Sequence, residues 1–201
     1  MSRLLLSLLL ILALPAWGAA ERYRVDLIVF IDLRDLSGAS LPPRLPDADS
    51  ALATDNEAAL AAAGIRRLPD TDFGLQEEWT RLRNARYLRP LLKMAWEQTD
   101  PPSNRGPRLR IQDGAAMSVV TPDSLMPLTL APLEGSVALH RSRYLHLDVN
   151  LRFTDDSTGS ARQYRLQEQR RMRRDELHYL DGPKLRALAR VRRAEPGTPL
   201  P

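Results

Sequence analysis

The stretch that decides the reading of this chain runs from Gly135 to Asp181, GSVALHRSRYLHLDVNLRFTDDSTGSARQYRLQEQRRMRRDELHYLD. Taken with a period of two, Val137, Leu139, Leu145, Leu147, Val149, Leu151 and Phe153 share one phase, and His140, Ser142, Tyr144, His146, Asp148, Asn150 and Arg152 share the other. Successive side chains of a strand point to opposite faces, so one face of this run is built for burial and the other for a wet contact. Arg141 and Arg143 interrupt the apolar phase side by side, as expected of a strand that crosses the rim of a core or carries a bulge. The small polar residues Asp155 to Ser160 then reverse the chain into a second strand from Arg162 to about Arg173. The expectation is an antiparallel hairpin with an arginine-dense far end, a binding surface rather than an active site.

Working outward, the 201 residues suit one ordinary domain, with a leader to be subtracted. Arg3 precedes the apolar run Leu4–Leu14, and Pro15 leads to Gly18-Ala19-Ala20 ahead of Glu21, the layout of a secretory signal peptide cleaved after Ala20. The run is shorter than the roughly 20 apolar residues that span a bilayer. The expected organisation is a signal peptide over 1–20, a single α+β domain over 21–193 with a variable loop and helix insertion at 37–69, and a flexible tail over 194–201. The chain has no cysteine, which excludes a lipoprotein anchor, disulfides and thiolate chemistry. The formal charge of +4 falls to +3 once Arg3 leaves with the leader, and the only lysines are Lys93 and Lys184. An exported protein meets anionic lipid, polysaccharide or cell-wall peptide rather than nucleic acid, and forked guanidinium groups suit carboxylates and phosphates.

The first strand is expected over Arg22–Ile31, apolar on both faces toward its end and therefore central in a sheet. Ser37–Asp49 reads as a proline-rich loop, Thr54–Ala63 as a short peripheral helix ended by Gly64, and Leu75–Arg86 as an amphipathic helix with Leu75, Trp79 and Leu82 on one face. Pro90 breaks any extension of that helix, so Leu88–Trp96 is expected as a strand with the proline near its start. Weak strands are expected over Arg108–Gln112, Met117–Val120 and Leu125–Leu130, and a last one over Arg186–Arg193. The fold class these elements imply is α+β: a single, mostly antiparallel sheet with one main helix packed on it and a long proline-rich insertion after the first strand.

Four places in the chain resemble the CsiV family of periplasmic peptidoglycan-binding proteins, which is linked to cell-shape integrity. Tyr23–Phe30 is similar to the family's opening strand, Tyr87–Gln98 to its Tyr-to-Trp-x-Gln segment, Gly135 with Arg143–Leu147 to its G…RYLH strand, and Arg170–Asp181 to its RRMRxxELHYLD signature. The resemblance covers about Tyr23 to Arg193, apart from Ser37–Pro69. After the signature the family continues Asp-His-Pro and a Phe-Gly pair, where this chain has Asp181-Gly182-Pro183-Lys184-Leu185-Arg186. The resemblance implies a non-enzymatic protein that binds the cell wall and supports peptidoglycan assembly. It further implies a class A penicillin-binding synthase and that enzyme's outer-membrane lipoprotein activator as partners. A protein-binding adaptor of such a complex, without direct glycan affinity, is the alternative.

For ligand contact the candidates are Arg162, Arg165, Arg170, Arg171, Arg173 and Arg174, whose guanidinium groups suit the carboxylates of wall stem peptides; the alternative is internal pairing with Glu168, Asp175 and Glu176. Tyr144 and Tyr179 are candidates to lay a ring on a sugar, against a role as core tyrosines. His140, His146 and Asp148 share a strand face, yet ligands spread along one strand converge poorly on a metal ion. The acids Asp148, Glu168, Asp175 and Glu176 show no spacing that singles out a glycosidase pair, and no Ser lies in a nucleophile motif, so no catalytic residue and no cofactor is expected. The segment Glu176–Asp181 is expected as a helical turn or tight loop locked by His178 and Asp181.

Overall fold

The structure is a computed structural model that describes residues 20–34, 40–45, 50–103, 106–120, 126–157 and 159–194. The expected leader up to residue 19 and the tail from residue 195 lie outside the described residues, as do residues 37–39 and 46–49 of the expected proline-rich loop and residue 125 of an expected strand.

Two five-stranded sheets dominate the molecule. The first runs in the order β11 (Leu177–Leu180), β12 (Leu185–Arg193), β1 (Arg22–Asp32), β4 (Leu88–Thr99) and β3 (Ile65–Arg67), all antiparallel. The second runs β10 (Arg162–Arg171), β9 (Leu145–Asp155), β8 (Leu133–Arg141), β5 (Leu109–Asp113) and β2 (Leu52–Ala53), with β2 alone pairing in parallel. A separate two-stranded hairpin pairs β6 (Met117–Val119) with β7 (Leu128–Leu130).

The period-two pattern explains how the sheets meet. Val25, Leu27, Val29 and Ile31 of β1 and Leu145, Leu147, Val149, Leu151 and Phe153 of β9 belong to one buried cluster between the sheets. Burying each such side chain stabilises the fold by about 1.5–3 kcal/mol. The other face of β1 carries Ile28 and Phe30, which join Phe73, Leu75 and Leu82 in a second buried cluster against α2 (Gln76–Asn84). Glu77 and Glu78 open that helix and Arg81 and Arg83 close it, matching its dipole. Its approach is pinned by Asp26, which is fully buried, pairs with Arg24 at 3.1 Å and Arg192 at 3.6 Å, and accepts the Gly74 N–H at 2.8 Å. A Cβ at Gly74 would stand 2.8 Å from that carboxylate, so the close approach requires glycine.

The expectation of a single sheet under one main helix is therefore corrected: the protein is mostly β, with two sheets sharing a core and a third, two-stranded sheet beside them. A strand with one buried face reads the same whether a helix or another sheet covers it, and only the cross-sheet packing tells the two apart. A second correction falls in the deciding stretch. Val137–Phe153 is not one strand but a hairpin, β8 and β9, with Arg141 opposite Leu145 and only residues 142–144 between them. The paired arginines that broke the apolar phase mark its turn. Third, Glu176–Asp181 is no helical turn; its Leu177–Leu180 is the edge strand β11.

Other expectations hold in detail. β1 is central, flanked by β12 and β4. Pro90 lies near the start of β4, where a register shift falls between Val29 and Phe30; β3 pairs only farther along, so that edge of the proline is not asked for an N–H. Inside the expected insertion, α1 (Glu57–Ala62) is capped by the Asn56 side chain at 3.0 Å and ends at Gly64 with φ +68. It is less peripheral than expected, because Leu60 enters the main core.

Candidate functional site

The turn of the β8–β9 hairpin and the exit from β10 lie at the same end of the second sheet. Arg171 is the register partner of His146, and Met172 N–H donates to the Leu145 carbonyl at 2.8 Å. The chain then turns through Arg173–Glu176, with Asp175 at φ +62, before entering β11. Between these segments and the start of β1 is a cleft of about 620 Å³, lined by Arg141, Arg143, Tyr144, Arg171, Arg173 and Arg174, with Glu21 and Tyr23 on its far wall.

Its electrostatics are one-sided. Among the described residues Glu21 is the only acid lining the cleft, and it already accepts hydrogen bonds from the Tyr23 hydroxyl, Arg141 and Arg193. The Tyr23 hydroxyl first, then the Arg193 and Arg141 guanidiniums, hold its carboxyl below the usual range. The guanidinium of Arg171 lies 3.4 Å from the centroid of the half-exposed Tyr144 ring, and that of Arg143 lies 5.4 Å from it. Cation–π attraction of this kind, about 0.5–1 kcal/mol at an exposed site, orients the arginines without neutralising them. Among the described residues, Arg143, Arg171 and Arg174 form no pair with a carboxylate. Arg173 has only a 3.8 Å contact to the exposed Glu176, and its backbone N–H donates to His178 Nε2 at 3.0 Å.

The structure divides the arginines expected to act together. Arg171, Arg173 and Arg174 meet at the cleft. Arg170 points to the opposite side of β10, where it pairs with Glu168 and donates to the Tyr179 carbonyl at 3.3 Å, while Asp181 N–H donates to Glu168 at 3.3 Å. That group sews β10 to β11 and so joins the two sheets. Arg165 donates to the Asn150 amide oxygen at 3.2 Å on the outer face, and Arg162 sits at the other end of β10, about 30 Å from Arg171 at strand rise.

The two tyrosines also part company. Tyr144 is at the cleft, whereas Tyr179 is on the first sheet, 6.3 Å from the Phe30 ring, with its hydroxyl on Asp181 at 3.3 Å. Burial first, and the Asp181 carboxylate after it, push the Tyr179 hydroxyl above its usual range. The hairpin brings His140 and His146 directly opposite each other, rings 5.2 Å apart and nearly parallel, and Asp148 pairs with Arg108 at 3.0 Å. Among the described residues no group of three acids or histidines is arranged to hold a metal ion. None of the four acids weighed as glycosidase carboxylates lines the cleft.

Sequence reasoning placed neither Arg141, Arg143, Tyr23 nor Glu21 in the site. The signal for the first two was present as the break in apolar phase, which is the turn itself.

A family model described as "Peptidoglycan-binding protein, CsiV" matches residues 3–194, so the chain belongs to that family. No curated protein and no solved structure matches it.

Proposed function

We propose, from the chain's membership of the CsiV peptidoglycan-binding family, that it is an exported, non-enzymatic accessory protein of the cell wall that grips peptidoglycan with the arginine cleft. The observation that carries this reading is that Arg143 and Arg171 stand over the Tyr144 ring in a cleft also lined by Arg174, and that among the described residues none of the three pairs with a carboxylate. Stem peptides present carboxylates, and guanidinium groups hold carboxylates by paired, charge-assisted hydrogen bonds. The ring of Tyr144 serves to set Arg171 rather than to receive a sugar face. Signal-peptide cleavage after Ala20 would leave Glu21 at the new chain start, beside the cleft. The partners in this reading are peptidoglycan itself and, through it, a class A synthase and its lipoprotein activator.

The test is co-sedimentation of the mature chain with purified sacculi. Pelleting at low salt that fades as salt rises supports the reading; a protein that stays in the supernatant at low salt refutes it. Capture of synthase from envelope extract that persists after muramidase digestion would favour a protein-binding adaptor, because only wall-mediated capture vanishes with the wall.

A further inference from the structure

A second recess lies away from the cleft, on the outer face of the second sheet near the far end of β9, bordered by Thr129, Leu130 and Ala131 at the end of β7. It encloses about 300 Å³, at the lower end of the size of small-molecule sites. Strand register builds it. Glu134 of β8 stands opposite Gln112 of β5 and Arg152 of β9, and Arg110 of β5 stands opposite Ser136, which makes Arg110 the diagonal neighbour of Glu134 at roughly 7–8 Å.

Glu134 is 7% exposed, and its Oε1 atom has no hydrogen-bond partner. A buried carboxylate oxygen left unpaired costs about 1–3 kcal/mol or more, so a fold that keeps one at a cavity wall has a use for it. Burial holds this carboxyl above the usual range, against the opposing pull of the Ala131 N–H and Arg152. Arg110, by contrast, is exposed and makes no ion pair among the described residues. Leu45, Ala51, Leu130 and Ala131 supply the aliphatic part of the wall, and among the described residues no aromatic ring lines it. A pyranose ring would find no platform there; a short aliphatic side chain would find a fitting surface.

We propose that this recess binds a small aliphatic residue carrying a carboxylate and an N–H donor on the adjacent carbon, with the carboxylate on Arg110 and the donor on Glu134 Oε1. A free amino acid supplies that chemistry with an ammonium group, and the C-terminal residue of a peptide supplies it with an amide N–H. The inference does not rest on the cleft.

Ligand-observed NMR or calorimetry on the mature chain with racemic alanine, N-acetyl-alanine of both hands and alaninamide tests it. Binding of either carboxylate-bearing probe, absence of alaninamide binding, and a loss of roughly tenfold or more in Arg110→Ala support the site. Alanine binding lost in Glu134→Gln identifies the free amino acid as the source; binding of N-acetyl-alanine that survives Glu134→Gln, whose amide oxygen still accepts, identifies the peptide end. Arg110 is a surface side chain, so its removal leaves the melting temperature unchanged and keeps the result readable. No probe bound at about 10 mM, a level that would register even interactions of only a few kcal/mol, overturns the proposal, as does binding indifferent to Arg110→Ala. Sacculus co-sedimentation of the same variants separates the two readings, because Arg110→Ala leaves the cleft intact.

Discussion

Replacing Arg143, Arg171 and Arg174 together by alanine removes the three cleft guanidiniums that pair with no carboxylate among the described residues. An exposed arginine–carboxylate contact contributes about 0.2–1 kcal/mol, and a well-formed bidentate one more, so three contacts made with the wall are worth about 1–3 kcal/mol in sum. The triple variant is therefore expected to bind sacculi about 5–150-fold more weakly, and with a shallower salt dependence. Its melting temperature should stay near that of the parent, since the fold loses only the cation–π contacts of Arg143 and Arg171 with Tyr144. Arg170→Ala supplies the contrast. That side chain pairs with Glu168 and the Tyr179 carbonyl across the sheet junction, so its loss should lower the melting temperature while the cleft cations stay in place. The measurement is a co-sedimentation isotherm at two ionic strengths beside a thermal melt for each variant. A triple variant that pellets as well as the parent, or one whose weaker binding merely tracks a lower melt, refutes the assignment of the cleft.

Three further outcomes follow from the fold. Asp26→Ala strands Arg24, Arg192 and the Gly74 N–H around a buried gap and should cost about 3–5 kcal/mol in denaturant unfolding, with Asp26→Asn costing less because its amide oxygen still accepts from Gly74. Gly135→Ala places a Cβ 2.1 Å from the Asn150 carbonyl oxygen at φ +140, and should destabilise by about 2–4 kcal/mol or prevent soluble expression; a melt equal to the parent's would contradict the packing of β8 on β9. Asp32 is held down to about 2 by hydrogen bonds from the Arg34 side chain and backbone and by the charges of Arg34 and Arg186. Its folded pKa lies below the unfolded value, so its contribution is present above about pH 4 and lost as pH falls through about 2. Because Arg34 is largely exposed, that contribution is about 1–2 kcal/mol, and Asp32→Asn should flatten the acid limb of a stability-versus-pH curve over that window.

How much was legible in the chain differs from element to element. β1, α2, β4, β10 and β12 follow from local evidence: alternation, a three-to-four-residue stripe, a proline, a polar turn. β2 and β3 were invisible, since two or three residues hold no period; they exist because β5 and β4 offer them an edge. In the sequence the turn at residues 142–144 reads as a strand crossing the rim of a core or carrying a bulge, because its flanks, His140–Arg141 and Leu145–His146, continue the same alternation on both sides. What the continuous reading conceals is that the sheet ends there: Ser142, Arg143 and Tyr144 form a turn at the open end of the sheet and line the cleft instead of continuing a strand.

By itself the sequence determined which apolar residues alternate toward a core, where β1, α2, β4, β10 and β12 lie, the clustering of arginine at the end of the deciding stretch, and the likeness to its family. These are local properties, set by periodicity, turn chemistry and composition within a few residues. Tertiary structure alone decided that two sheets close over one core, that Arg171 and Arg174 face an open cleft while Arg170 is tied to Glu168, and that Tyr144 and Tyr179 stand on different sheets. Which partner a guanidinium finds depends on strands far apart in the chain, and a period of two says which face a residue takes but not what stands across from it.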